Sequence, residues 1–270
     1  ALSFVQRPDD VAEAKRLIGG KELVLAKIEK PAAIDRLEEI LEIADAVMVG
    51  RGDLGVELPP EEVPPLQKRI VEAARRLGKP VVVATQMLES MILSPSPTRA
   101  EVSDVATAVY DGADAIMLSA ESASGKFPCE AVEMMNRIAT SAESDPTHYA
   151  RVHFTETLPE ATTNDAIARA ASEIVRTVGA NAIVCFTSSG STARRVARER
   201  PTVRLLVLTP SLKTARRLGL LWGAHAVRTR DVHSFEEMVG KSKGMALRHC
   251  VAKAGDRLIV TAGVPFGVPG

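Results

Sequence analysis

The sequence predicts an α/β protein with two parallel-sheet domains. Three observations predict it. Short apolar runs alternate with helix-length amphipathic segments along most of the 270 residues, the pattern of βα units around a sheet buried on both faces. That alternation lapses once, near residues 144–159, where the chain turns polar and proline-containing. In the first half, every apolar run is followed at once by polar, chemically useful side chains.

In order, the first-half strands are expected at 1–5, 23–28, 46–49, 81–84 and 115–118, and the helices at 9–18, 32–43, 61–77, 98–109 and 131–142. Pro31 suits the first turn of its helix, where a missing N–H costs little. Gly19, Gly78 and Gly112 fall where helices should stop. The strand spacing fits successive units of a parallel barrel. After a linker at 146–160 a second alternation begins. Helices are expected at 161–178, 191–199, 212–218 and 235–248, and strands at 182–186, 203–208, 225–228 and 257–261. This gives domains at 1–145 and 161–270, the second smaller, with no clear repeat between them.

Composition narrows the function. Hydrophobic residues make up 46% of the chain, enough for a sizeable core. Thirty-four basic side chains balance 34 acidic ones and aromatics are only 3%, which argues against a nucleic-acid platform. No apolar run nears the ~20 residues of a membrane span, and the first residues do not read as a signal peptide. Cys129, Cys185 and Cys250 read as free buried thiols of a reducing compartment, the cytoplasm. His148, His153, His225, His233 and His249 show no metal-ligand spacing. The chain opens with a strand-like run and ends after VPFGVPG with no element behind it, so it reads as incomplete at both ends.

The organising stretch is VMVGRGDLGVELPP, residues 47–60. Gly50 and Gly52 let the backbone approach a ligand closely, and Asp53 adds a carboxylate at a strand's carboxyl end. Alone, it reads more simply as a strand-to-helix turn with Asp53 as N-cap. The neighbouring strand ends change that balance. Ser3 ends the first run, Lys27 and Glu29 the second, Thr85 and Gln86 the fourth, Ser119 and Glu121 the fifth. In a parallel barrel these ends converge on one mouth, where active sites form. Lys27 and Glu29 are two apart, so on a strand they point the same way. In the second domain Thr187, Ser188, Ser189, Gly190, Ser191 and Thr192 join a strand to a helix, a possible phosphate cradle, with Arg194, Arg195 and Arg198 able to add charge. Plain N-capping, with the arginines on a solvated face, is an equal alternative.

LAKIE with KP (25–31), VMVGRGDLGVE (47–57), VATQMLESM (83–91), PTRAEVSD (97–104) and DGADAIMLSAE (111–121) resemble pyruvate kinase of the bacterial type, in order and in spacing. The resemblance implies a partial TIM (β/α)8 barrel, strands five to eight, followed by a smaller three-layer α/β regulatory domain lacking its last strand. It implies phosphoryl transfer from phosphoenolpyruvate to ADP, giving pyruvate and ATP, in a cytoplasmic homotetramer. It implies Mg²⁺ (or Mn²⁺) on Glu29 and Asp53, with K⁺ near Ser3. Lys27 would neutralise the moving phosphoryl group and the enolate. Backbone N–H groups of Arg51, Gly52 and Asp53 would receive the substrate carboxylate. Thr85, supported by Ser119 and Glu121, would serve a proton relay. Ala120 and Ser124 depart from many members. Ser188 stands where relatives that bind sugar bisphosphates carry lysine, which favours AMP or a sugar monophosphate over fructose 1,6-bisphosphate.

Two rivals remain from the residues. One is a Mg²⁺-dependent oxo-acid lyase of the same barrel type, which would need no lysine beside the metal. The other is a non-catalytic phosphate-sensing module. The chain by itself, with half a barrel mouth, is expected to be inactive.

Overall fold

The computed structural model describes residues 1–152 and 161–263. The chain divides into two compact units, Ala1–Glu156 and Thr157–Gly270. No helix of the described residues is long and apolar enough to cross a membrane.

The first unit is built on four parallel strands: β1 (Leu25–Ile28), β2 (Ala46–Gly50), β3 (Val81–Ala84) and β4 (Ala115–Met117), side by side in chain order. The register aligns Lys27 with Met48, Met48 with Val82, and Val82 with Ala115. Residues of one parity, such as Ile28, Val49 and Val83, pack with Ile40, Ile70 and Val105 of the covering helices. The other parity places Met48, Val82 and Ala84 in a small separate cluster with Leu25, Ala115 and Met117. This two-faced burial explains why β2 and β3 are continuously apolar.

The helices of this unit are α1 (Pro8–Ile18), α2 (Pro31–Asp35), α3 (Leu37–Ile43), α4 (Arg51–Glu57), α5 (Val63–Arg76), α6 (Arg99–Tyr110), α7 (Ala120–Ala123), α8 (Pro128–Glu143) and α9 (His148–Val152). Proline occupies the first turn of α1, α2, α5 and α8, where its fixed φ is preorganised. Gly19 closes α1 in the left-handed region.

Four expectations need correction. Residues 1–5 do not form a strand: only Leu2 pairs, with Ala26. The ladder ends because Phe4 turns to φ 56 and gives its N–H to Glu29. The helix expected at 32–43 is broken at Arg36, whose φ of −115 leaves the helical region, although both halves bury their apolar residues. The region around 146–152 is not simply linker, because α9 forms there. Its start is organised by Asp145, which accepts from the Thr147 N–H and the Tyr110 hydroxyl. Residues 153–160, the rest of that linker and His153 with it, lie outside the described residues.

The fourth correction concerns the cysteines. Only Cys185 is buried, and burial pushes its thiol up to about 12 despite a hydrogen bond with Thr261. Cys129 and Cys250 are exposed. Cys129 sits off the face of α8 that buries Ala131, Met135 and Ile138, and Cys250 lies just past a helix end at φ 54.

The second unit has a parallel sheet in the order β7 (Ala224–Arg228), β6 (Arg204–Thr209), β5 (Ala182–Phe186), β8 (Leu258–Thr261). Its helices are α10 (Thr163–Val178), α11 (Ser191–Arg198), α12 (Leu212–Arg217) and α13 (Phe235–Arg248). Ile183 and Cys185 of β5 pack with α10 and α11, whereas Ala182, Val184 and Phe186 pack with α13. Helices therefore cover both faces. His225 and His249, 24 positions apart, meet across β7 and the end of α13, with ring nitrogens 2.9 Å apart. The terminal VPFGVPG stretch lies outside the described residues.

Candidate active site

The carboxyl ends of β1–β4 and the segments that follow them hold most of the residues singled out in the sequence. Lys27 is on the face of β1 opposite the helices, and Glu29 continues that face one step beyond the strand. The Lys27 ammonium lies 2.5 Å from Glu29 Oε1 and 3.2 Å from Ser3 Oγ. Glu29 is buried, and burial alone would push its carboxyl pKa up. The Lys27 hydrogen bond and charge and the Phe4 N–H outweigh that and hold it below the usual carboxylate range. Asp53 lies in the first turn of α4, directly after β2, the strand beside β1.

Gly50 explains how Glu29 reaches this place. The two residues occupy adjoining rows of the sheet, and a Cβ at Gly50 would lie 2.5 Å from Glu29 Cγ. The glutamate thus fills the space that a side chain of residue 50 would need. The cap position of α4 is Gly50, and Asp53 is the third helical residue. The simple N-cap reading of Asp53 is therefore wrong, although an acid there still suits the helix dipole.

The segment after β3 departs from ordinary backbone. Thr85 and Gln86 take φ of 69° and 55° without being glycine, a conformation costing of order 1–3 kcal/mol per residue. Thr85 Oγ1 accepts the Gly52 N–H at 2.9 Å, so that amide is engaged within the protein. The Arg51 guanidinium holds the Thr85 carbonyl at 2.7 Å. Glu121 is buried, and its two oxygens accept the Leu88 N–H at 3.2 Å and the Ser119 N–H at 2.7 Å. It ties the segments after β3 and β4 together.

Sequence reasoning missed the side chains that fix this loop from outside. Glu101 accepts from the Ser90 amide and hydroxyl and from the Thr98 amide. Burial opposes its ionisation, but these bonds hold its carboxyl low. The Thr98-x-x-Glu101 spacing is a capping box and could have flagged it. Gln67 and Asp104, which grip Arg51, carry no such signal. A cavity of about 480 Å³ opens beside α4, lined by Arg51, Gly52, Gln67, Lys68, Gln86 and Asp111 among others.

In the second unit the 187–192 loop leads into α11 through Gly190, at φ 88. Thr187 Oγ1 accepts the Gly190 N–H and Ser189 Oγ accepts that of Ser191. Thr214 donates to the Ser188 carbonyl. Two of the three arginines correct both sequence readings. Arg195 and Arg198 neither join the loop nor form a solvated face, because both pair with the buried carboxylate of Asp165, at 2.8 and 2.7 Å. Arg198 also meets Glu199 at 3.2 Å. Burial would lower the Arg198 pKa, but these two carboxylates raise it instead.

A parallel βα sheet with a lysine and two carboxylates at or just beyond its strand ends, joined in one chain to a second α/β unit, defines a two-unit α/β protein. Comparison with known proteins agrees. The family model described as "Pyruvate kinase, barrel domain" matches residues 1–132, and "Pyruvate kinase, alpha/beta domain" matches residues 165–270. A pyruvate kinase of Methylorubrum extorquens is 57% identical over all of this chain and 56% of its own length. Pyruvate kinase 2 of Synechocystis is 46% identical over all of this chain and 46% of its own. The crystal structure of a pyruvate kinase from Cryptosporidium parvum superposes with a TM-score of 0.92 at 36% identity, over 99% of this chain and 57% of that one. The chain belongs to the pyruvate kinase family, and it spans about half the length of the curated relatives it matches. The similarity supports neither the lyase nor the non-catalytic module.

Proposed function

We propose that the full-length protein carrying this chain transfers a phosphoryl group from phosphoenolpyruvate to ADP, giving pyruvate and ATP, with β1–β4 as strands five to eight of its barrel. The observation that carries this reading is the contact of Lys27 with Glu29 at the end of β1, with Asp53 in the first turn after the neighbouring strand. A buried carboxylate kept anionic, with a second beside it, suits Mg²⁺ or Mn²⁺. Among the described residues no group of three or more metal-binding side chains gathers, and Mg²⁺ takes one or two carboxylates, completing its shell with water and substrate oxygens. When bound, the cation supplies charge neutralisation at the phosphoryl oxygens. Ser3 would lie toward the K⁺ site. Lys27 places its positive charge where negative charge develops. Thr85 accepts from Gly52, which leaves its own hydrogen to donate toward the enolate side of the mouth. The family resemblance supports a cytoplasmic homotetramer.

Turnover of phosphoenolpyruvate and ADP by the full-length protein tests the reading. Asp53→Ala should raise the Mg²⁺ concentration for half-activation by about tenfold or more, the scale seen when a metal's supporting ligands are lost. Unchanged metal activation would remove Asp53 from the site.

The 187–192 loop is the proposed seat of an activator phosphate, AMP or a sugar monophosphate. Support comes from its hydroxyl-rich approach to a helix N-terminus. Ser189→Asp should keep capping Ser191 while repelling a phosphate. Substrate saturation with AMP, ribose 5-phosphate and glucose 6-phosphate should show an activated parent and an unresponsive variant. A variant that responds with the parent's affinity would place the phosphate elsewhere.

A further inference from the structure

The geometry points to Arg51 as the positioning residue that holds Thr85 in its working conformation, an inference that rests on the catalytic reading above. Thr85 and Gln86 are consecutive left-handed residues, and neither is glycine. Such a turn persists only where its surroundings over-determine it. Arg51 supplies that determination. Its Nη2 donates to Thr85 O at 2.7 Å, reaches Gln86 O at 3.4 Å and lies 2.8 Å from Met87 Sδ. Its Nη1 donates to Asp104 Oδ1 at 2.6 Å and approaches Gln67 Oε1 at 3.3 Å. Asp104 belongs to α6 and Gln67 to α5, and Gln67 is itself oriented by Asp111 at 2.9 Å. Two helices therefore aim the guanidinium at the turn.

The next residue completes the clamp. The Gly52 N–H binds Thr85 Oγ1, and a Cβ at Gly52 would come within 3.0 Å of that oxygen. Arg51 thus fixes the threonine's carbonyl while Gly52 fixes its hydroxyl. Both come from the first turn of α4, which also carries Asp53. One dipeptide sets the spacing between the metal-side carboxylate and the proton-side hydroxyl. A lysine at 51 retains the charge but has no planar fork to serve the loop carbonyls and the helix anchors together.

The test uses the full-length protein with Arg51→Lys, Thr85→Ala and the double variant. Arg51→Lys should lower kcat by about 10²-fold, the scale of an ångström-level misplacement of a reacting group, with KM for phosphoenolpyruvate changed less than about threefold. Proton exchange at the methyl carbon of pyruvate should fall in step with kcat. Because Arg51 acts through Thr85, the double variant should be no slower than Thr85→Ala alone. Losses that multiply would instead assign Arg51 a general structural role, and an unaffected Arg51→Lys would overturn the inference outright. Hydrogen exchange gives an independent reading. Amides of residues 84–92 should exchange about tenfold faster or more in Arg51→Lys, reflecting local opening, and parent-like exchange there would overturn the clamp. If the parent transfers no phosphoryl group, the functional reading fails while the exchange data still decide the clamp.

Discussion

Replacing Lys27 by methionine in the full-length protein is expected to slow phosphoryl transfer by about three orders of magnitude, at the upper end of what one preorganised charge or donor supplies to such a barrier. Methionine preserves the length and apolar stem, so the loss isolates the ammonium. The neighbourhood predicts a second signature. Burial is the largest influence on Glu29 and acts upward, while Lys27 is the strongest opponent. Without the lysine the Glu29 carboxyl must titrate higher, so the acid limb of the variant's pH–rate profile should move to higher pH. A further contrast separates Lys27 from Thr85. Lys27→Met should damage phosphoryl transfer more than methyl proton exchange, and Thr85→Ala the reverse. If both variants lose both partial reactions equally, the division of labour is wrong.

The second large effect concerns stability. Asp165→Ala should destabilise the α/β unit by about 3–5 kcal/mol, the usual cost of stranding a buried charge. Asp165 is wholly buried and receives both Arg195 and Arg198. Its removal leaves Arg198, itself buried, with Glu199 alone among the ion-pair partners described here. Arg195 is partly exposed and can turn to water, so the cost falls mainly on Arg198. Chemical denaturation, followed by a probe in that unit, measures it. A loss below about 1 kcal/mol would mean that water or Glu199 already satisfies Arg198.

Much of the fold was legible because parallel strands buried on both faces must be apolar throughout, and β2, β3, β5 and β6 advertise themselves in that way. The pairing of Lys27 with Glu29 was legible from strand parity alone. What failed was non-local. Residues 1–5 have strand composition, yet Glu29 captures the Phe4 amide from 25 positions away. Arg195 and Arg198 look like a solvated helix face until Asp165, about thirty positions earlier, is folded against them. Thr85 and Gln86 carry no glycine to announce a left-handed turn, since their conformation is imposed by an arginine that follows the neighbouring strand. Asp104 and Gln67 share the same obscurity, because their meaning lies in a partner 53 and 16 positions distant.

The glutamate seated over Gly50 has a consequence for anyone altering this protein. In sequence the carboxylate belongs to residue 29, but in volume it is the side chain of residue 50. A saturation library at position 50 would score every replacement as lost and record a demand for backbone flexibility, although the φ there is an ordinary −89°. The intolerance is one of tenancy, because the room is already let to a neighbour. Positions 29 and 50 therefore form a single heritable unit, and a redesign that moves the carboxylate must rewrite both together.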